Sequence, residues 1–189
     1  AEFPAECREA EYEQRIKAAY PIHPEIFDRL YTDWSTLVKF QRTRGVLRLM
    51  AQVIHELWMG NDPSVMIMPG SVAISTARVE PELLHYLDAS WQSIIAADVD
   101  GASSSPYKID QSAPNLNRYS ATRRIARAIF MGTAPTHSQE NKGLDDKQIN
   151  LGVVQPGERP AIFGDALRRL ANQAKFMHSD LGRYWYSMS

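Results

Sequence analysis

Between Phe40 and Trp58 the apolar residues return at helical spacing. Val46, Met50, Val53 and Leu57 form one stripe, which Leu47, Ile54 and Trp58 widen. The pattern predicts a single helix over residues 40–58, and the rest of the chain is expected to pack around it. Arg44, Arg48, Gln52 and His55 follow another line of the same helix, each about one turn from the last. Two arginines four residues apart with no acid between them repel by roughly 0.2–0.5 kcal/mol on a bare helix. A phosphate or carboxylate brought from elsewhere would relieve that repulsion, and an ordinary solvated basic face is the alternative.

The same patterning predicts the other elements. Glu9 to Ala19 reads as a short charged helix that Tyr20-Pro21 breaks, and Pro24 opens a second with Ile26, Phe27, Leu30, Tyr31 and Trp34 on its apolar face. Val65 to Met68 is a strand or a buried extended link, and Glu80 to Ala97 a long helix with Leu84, Leu87, Trp91, Ile94 and Ile95 inward. Asp98 to Asn117 is rich in Asp, Ser, Pro and Asn, with only Tyr107 to Asp110 resembling a strand, so a domain boundary or long loop is expected there. Ser120 is a candidate cap for a helix through Met131, and a polar loop, Thr133 to Gly143, follows. Helices Leu144 to Val154 and Pro160 to Ala174 come next, and Asp180-Leu181-Gly182 marks a terminal hairpin. The fold class is therefore mainly α within α+β. Two parts are expected, a helical domain over 1–110 and a winged-helix-like domain over 111–189 with a C-terminal β-hairpin.

Several strings, namely Tyr20 to Leu30, Phe40 to Met50, Asn115 to Tyr119, Leu151 to Gly157 and Gly182 to Ser187, together resemble a family of large prokaryotic ATPases of the AAA+ class. That family is a domain of unknown function often encoded near restriction-like and phage-defence genes. The resemblance runs over nearly the whole chain and implies that residues 1–110 are an AAA+ lid. In such lids the second sensor is an arginine in a Gly-x-x-Arg pattern, which Gly45-Val46-Leu47-Arg48 matches. The resemblance thus implies Arg48 as the sensor arginine, with Arg44 a neighbour in possible support.

Composition and missing motifs narrow the chemistry. The 189 residues carry a formal net charge of −1, which gives no global field toward nucleic acid or anionic lipid. The single cysteine, Cys7, excludes an internal disulfide and fits a reducing cytoplasm; no apolar run approaches a membrane span. The chain lacks an initiator Met and is read as a piece of a longer protein. No phosphate-binding loop is present: Gly152 and Gly157 have the right separation but are followed by Glu158-Arg159, and Pro156 removes a donor. His55-Glu56 opens like a zinc-protease helix, yet Met59 stands where the second His belongs, and the five histidines show no ligand spacing.

The expectation is a fragment that is not an enzyme alone and binds no cofactor or metal by itself. ATP and Mg²⁺ belong to the full-length protein, and the principal partner is an upstream ATPase core of the same chain. Arg168, Arg169, Lys175 and Arg183 are the candidate nucleic-acid contacts, few enough that DNA binding would be weak, while Arg123, Arg124 and Arg127 read as a solvated or salt-bridged face. The alternatives are a DNA-binding winged-helix module and a non-catalytic protein-interaction element of a defence complex.

Overall fold

The structure, a computed structural model, describes residues 2–136 and 143–188. It is mostly helical, with one small antiparallel sheet near the C-terminus. His137 and most of the polar loop expected after Thr133 lie outside the described residues.

Helix α1 (Ala10–Ala19) is mainly solvated and buries only Tyr12. After the Tyr20-Pro21 break, His23 caps α2 (Pro24–Asp28), its ring accepting the Glu25 N–H at 3.0 Å. The chain coils on through tighter and wider turns to Phe40, burying Ile26, Leu30 and Trp34 and leaving Tyr31 exposed. Trp34 donates its indole N–H to the Met131 carbonyl at 2.8 Å.

Helix α3 (Thr43–Met59) starts three residues later than the periodicity predicts, because Gln41 and Arg42 take positive φ and turn the chain. It buries Val46, Leu49, Met50 and Val53. Leu47 and Trp58, expected to widen the buried stripe, are 66% and 82% exposed, and Ile54 is exposed with them. The apolar arc of this helix is wider than the surface its neighbours cover.

Residues 66–68 run extended between two partners. Ile67 pairs with residues 21–23, its N–H donating to the Pro21 carbonyl and its carbonyl accepting from His23, both at 2.8 Å. On the other edge the Gln155 side-chain amide accepts the Met66 N–H at 3.2 Å and donates to the Met66 carbonyl at 2.8 Å. Pro69–Ser71 then forms a single 3₁₀ turn.

The long helix expected over 80–97 is two short ones, α4 (Val79–Leu84) and α5 (Trp91–Ile94), the second widening into a π turn through Val99. Between them Asp88 accepts the N–H of Ser90 at 2.9 Å, a local turn that competes with helix. The segment expected to be loop is helical too: α6 (Ser105–Ser112) and α7 (Pro114–Asn117), each with proline in its first turn. Tyr107 to Asp110 is thus helix, not strand, and the boundary expected near residue 110 falls inside α6.

Helix α8 (Ala121–Thr133) is the element the others surround. Ten of its residues are buried, and it packs on the 69–71 turn, α6, α9 and α10. This corrects the expectation that the Phe40–Trp58 segment is the organising helix, since α3 sits at the rim with one face in solvent. Ser120 does not cap α8 through its side chain but takes φ 51°. Asp110 caps instead, its carboxylate accepting the N–H groups of Thr122 at 2.9 Å and Arg123 at 3.2 Å.

The last third runs β1 (Leu144–Asp145), α9 (Asp146–Val153), α10 (Pro160–Gln173), β2 (Met177–Asp180) and β3 (Arg183–Tyr186). Asp145 and Gln148 form a reciprocal cap at the start of α9. The sheet order is β1-β3-β2, all antiparallel, and the hairpin turns through Leu181 and Gly182, both at positive φ. A shared hydrophobic core extends from Ile26 to Tyr186.

Candidate functional site

The outer face of α3 carries the residues singled out for nucleotide sensing. The Arg48 side chain, 59% exposed, reaches across to α4, where its Nε and Nη2 each stand 3.2 Å from a carboxylate oxygen of Glu82. Glu82 is far better covered and also accepts the Tyr86 hydroxyl at 2.6 Å. Burial first, and then Glu82, pushes the Tyr86 hydroxyl up to about 12, so it stays a donor at neutral pH. Arg44, one turn before Arg48, is exposed and forms no side-chain hydrogen bond or ion pair among the described residues. Gln52 lies 3.5 Å from Arg78, so the line of polar residues diverges from a single site beyond Arg48.

The glycine of the Gly-x-x-Arg string has a packing reason. A Cβ on Gly45 would stand 2.0 Å from the Phe40 carbonyl oxygen and 2.9 Å from the Phe40 ring. The tight approach lets the turn at 41–42 fold back against the first turn of α3, which fixes where Arg44 and Arg48 emerge.

The three arginines of α8 are salt-bridged rather than solvated. Arg123 meets Asp110 at 2.9 Å, Arg124 meets Glu158 at 2.7 Å, and Arg127 meets Asp100 at 3.1 Å. All six side chains are largely buried, and Arg127 also approaches the Gly70 carbonyl at 3.4 Å. These pairs tie α8 to α6, to the loop before α10 and to the end of the π turn.

The candidate nucleic-acid residues do not form one free basic surface. Arg168 and Arg169 share a single carboxylate, Asp165, at 3.1 and 3.2 Å. Lys175 lies 5.0 Å from the centroid of the adjacent Phe176 ring, and Arg183 donates to the Gly143 carbonyl at 2.7 Å. Among the described residues no group of three or more His, Cys, Asp or Glu side chains is placed to hold a metal ion, and no helix is long and apolar enough to cross a membrane.

The residue that sequence reasoning missed is Glu82, the partner of Arg48. It is 34 residues away on a separate helix, and no local pattern points to it.

No curated protein and no solved structure matches the chain. The model for the DUF499 second domain matches it over residues 7–186, which include both the α3 face and the terminal hairpin. The chain therefore belongs to the DUF499 family, as its second domain.

Proposed function

We propose that this domain is the regulatory part of a larger AAA+-like ATPase, a helical lid followed by a winged helix. In this reading Arg48 is a sensor arginine acting on ATP and Mg²⁺ held by a core elsewhere in the same protein. One observation carries it. Arg29, Arg123, Arg124 and Arg127 are themselves largely buried in their ion pairs, whereas Arg48, though paired with the well-covered Glu82, is 59% exposed and shares an open face of α3 with Arg44. With the Arg48 guanidinium in solvent the pair is screened and worth on the order of 1 kcal/mol, so a polyphosphate can draw Arg48 from Glu82. Glu82 keeps its Tyr86 hydrogen bond when Arg48 leaves, which softens the loss.

The exposed Leu47, Ile54 and Trp58 beside these arginines support a covered rather than a solvated face in the intact protein. The coupling device is the α3–α4 contact, since Arg48 on one helix exchanges Glu82 on the other for nucleotide.

The test is ATP hydrolysis by a full-length family member. Arg48→Ala is expected to slow it by about 10³–10⁵, the range for arginines that stabilise transferring phosphate. Arg42→Ala, from the same basic segment, is expected to change little. Hydrolysis at the wild-type rate by a folded Arg48→Ala protein overturns the assignment.

A second reading, nucleic-acid binding, has its own support. The order α8-β1-α9-α10-β2-β3 with strands β1-β3-β2 is what a winged-helix reading expects, and α10 exposes Arg168, Arg169, Asn172 and Gln173. Asp165 opposes it by neutralising part of that face. Duplex binding that survives physiological salt and is lost in Arg168→Ala/Arg169→Ala would favour it.

A further inference from the structure

A cavity of about 350 Å³ opens where α1, the extended 66–68 segment and the end of α9 meet. Ile16, Met66, Met68, Leu151 and Val154 supply a mostly apolar wall. Two buried polar groups interrupt it. Tyr12 is 7% exposed, and among the described residues its hydroxyl makes no well-formed hydrogen bond, only a weak interaction with the Cys7 thiol. His23 is 4% exposed, and its Nδ1 already accepts the Glu25 N–H, so the neutral ring carries its proton on Nε2. No protein acceptor takes that proton among the described residues. The Tyr12 and His23 rings are neighbours, with centroids 6.3 Å apart.

Leaving a buried hydroxyl without a good partner costs up to about 1–3 kcal/mol. An apolar pocket with a few convergent polar groups is the usual form of a small-molecule site, and this volume lies at the small end of the range. Both polar groups can donate, so the ligand must bring an acceptor. No lysine or arginine lines the cavity, and the Glu158 that does is already paired with Arg124, so no free positive charge is left there for an anion. Burial holds His23 down to about 4, so the ring stays neutral at physiological pH and offers no charge. Cys7 also lines the cavity, but burial and then Glu6 and Glu25 raise its thiol, outweighing the Tyr12 hydroxyl, which keeps it protonated and a poor nucleophile.

We propose that this cavity binds a small, neutral, largely apolar molecule with a carbonyl-type oxygen, which accepts from the Tyr12 hydroxyl and the His23 Nε2–H. The site is independent of the α3 face and of the nucleotide reading, and binding is reversible and non-covalent.

The experiment titrates three probes of similar size into the ¹⁵N-labelled domain: acetophenone, ethylbenzene and benzoate. Acetophenone is expected to shift the amide signals of Met66, Met68 and Val154 saturably, more tightly than ethylbenzene, and benzoate is expected to give no saturable shift. Tyr12→Phe removes an oxygen whose only protein partner is the Cys7 thiol, a weak one, so the fold should persist. Its affinity for acetophenone should fall by about two- to tenfold, the equivalent of one net hydrogen bond, with ethylbenzene unchanged. No saturable acetophenone shift at millimolar concentration overturns the proposal. So does equal acetophenone affinity in Tyr12→Phe, or benzoate binding as tightly as acetophenone.

Discussion

Asp110, buried without measurable exposure, holds Arg123 at 2.9 Å while the same carboxylate accepts the first free N–H groups of α8. One side chain on α6 therefore performs both the capping and the charge pairing at the start of the central helix. Removing it leaves Arg123 largely buried with Asn117 and the face of the Tyr107 ring as its remaining side-chain contacts. Asp110→Ala is expected to destabilise the domain by about 3 kcal/mol, at the low end for breaking a buried pair because Arg123 can still reach water. Asp165→Ala, which breaks two exposed pairs, should cost under about 1 kcal/mol. Urea midpoints at constant slope compare the two directly.

Opposed pH dependences are built into α2. Burial pushes the Glu25 carboxyl up to about 7, outweighing Arg29. The geometry explains why: Arg29 donates from Nη1 to Asp33 at 2.8 Å, while its Nε, 3.2 Å from Glu25, is not aligned to donate. A raised carboxyl contributes stability that is present below its unfolded value and lost as pH rises toward 7. Burial lowers His23 to about 4, so its contribution is present above pH 6.5 and lost as pH falls toward 4. The two slopes oppose each other between about pH 4.5 and 6.5.

Glu25→Gln should unmask a stability that rises with pH across that window, by up to about 1.4 kcal/mol per unit for one proton. His23→Asn, which keeps a capping acceptor, should unmask the falling limb. Denaturant unfolding from pH 4 to 8 reads both, and parallel curves for wild type and Glu25→Gln would contradict the assignment.

The two apolar stripes of α3 should behave differently on truncation. Leu49→Ala removes a fully buried side chain and is expected to cost about 2–5 kcal/mol. Trp58→Ala and Leu47→Ala should stay within about 0.5 kcal/mol in the isolated domain. Chemical denaturation of the isolated domain checks each.

Gly45→Ala separates packing from sensing. The added methyl meets a backbone oxygen, which cannot swing aside, so the domain should lose about 1–3 kcal/mol or more without any nucleotide present. A variant as stable as wild type would mean that the turn at Gln41–Arg42 relaxes freely.

Local signals carried much of the fold. Pro160 and the alternation up to Leu170 mark α10 within one residue of its end, and Asp180-Leu181-Gly182 marks the hairpin. What they could not carry was pairing at a distance. Asp98, Asp100 and Asp110 made their segment look like solvated loop, yet all three are buried. Asp100 and Asp110 pair with Arg127 and Arg123, while Asp98 accepts from Ser105 and from the backbone N–H of Phe176. Composition counts an acid as polar without seeing the cation or N–H that will cover it. Periodicity likewise showed that α3 has an apolar side, but not that Leu47, Ile54 and Trp58 would stay exposed. For the candidate site, the helix and the exposure of Arg48 were legible; Glu82, which holds it, was not.

The Gln155 amide has a consequence for solubility. An isolated extended segment normally offers an open row of donors and acceptors to any passing strand of another molecule. Here one side chain imitates a neighbouring strand, closing the Met66 edge with the same two bonds a backbone would make, while residues 21–23 close the other. Gln155 thus acts as a molecular stopper against edge-to-edge association.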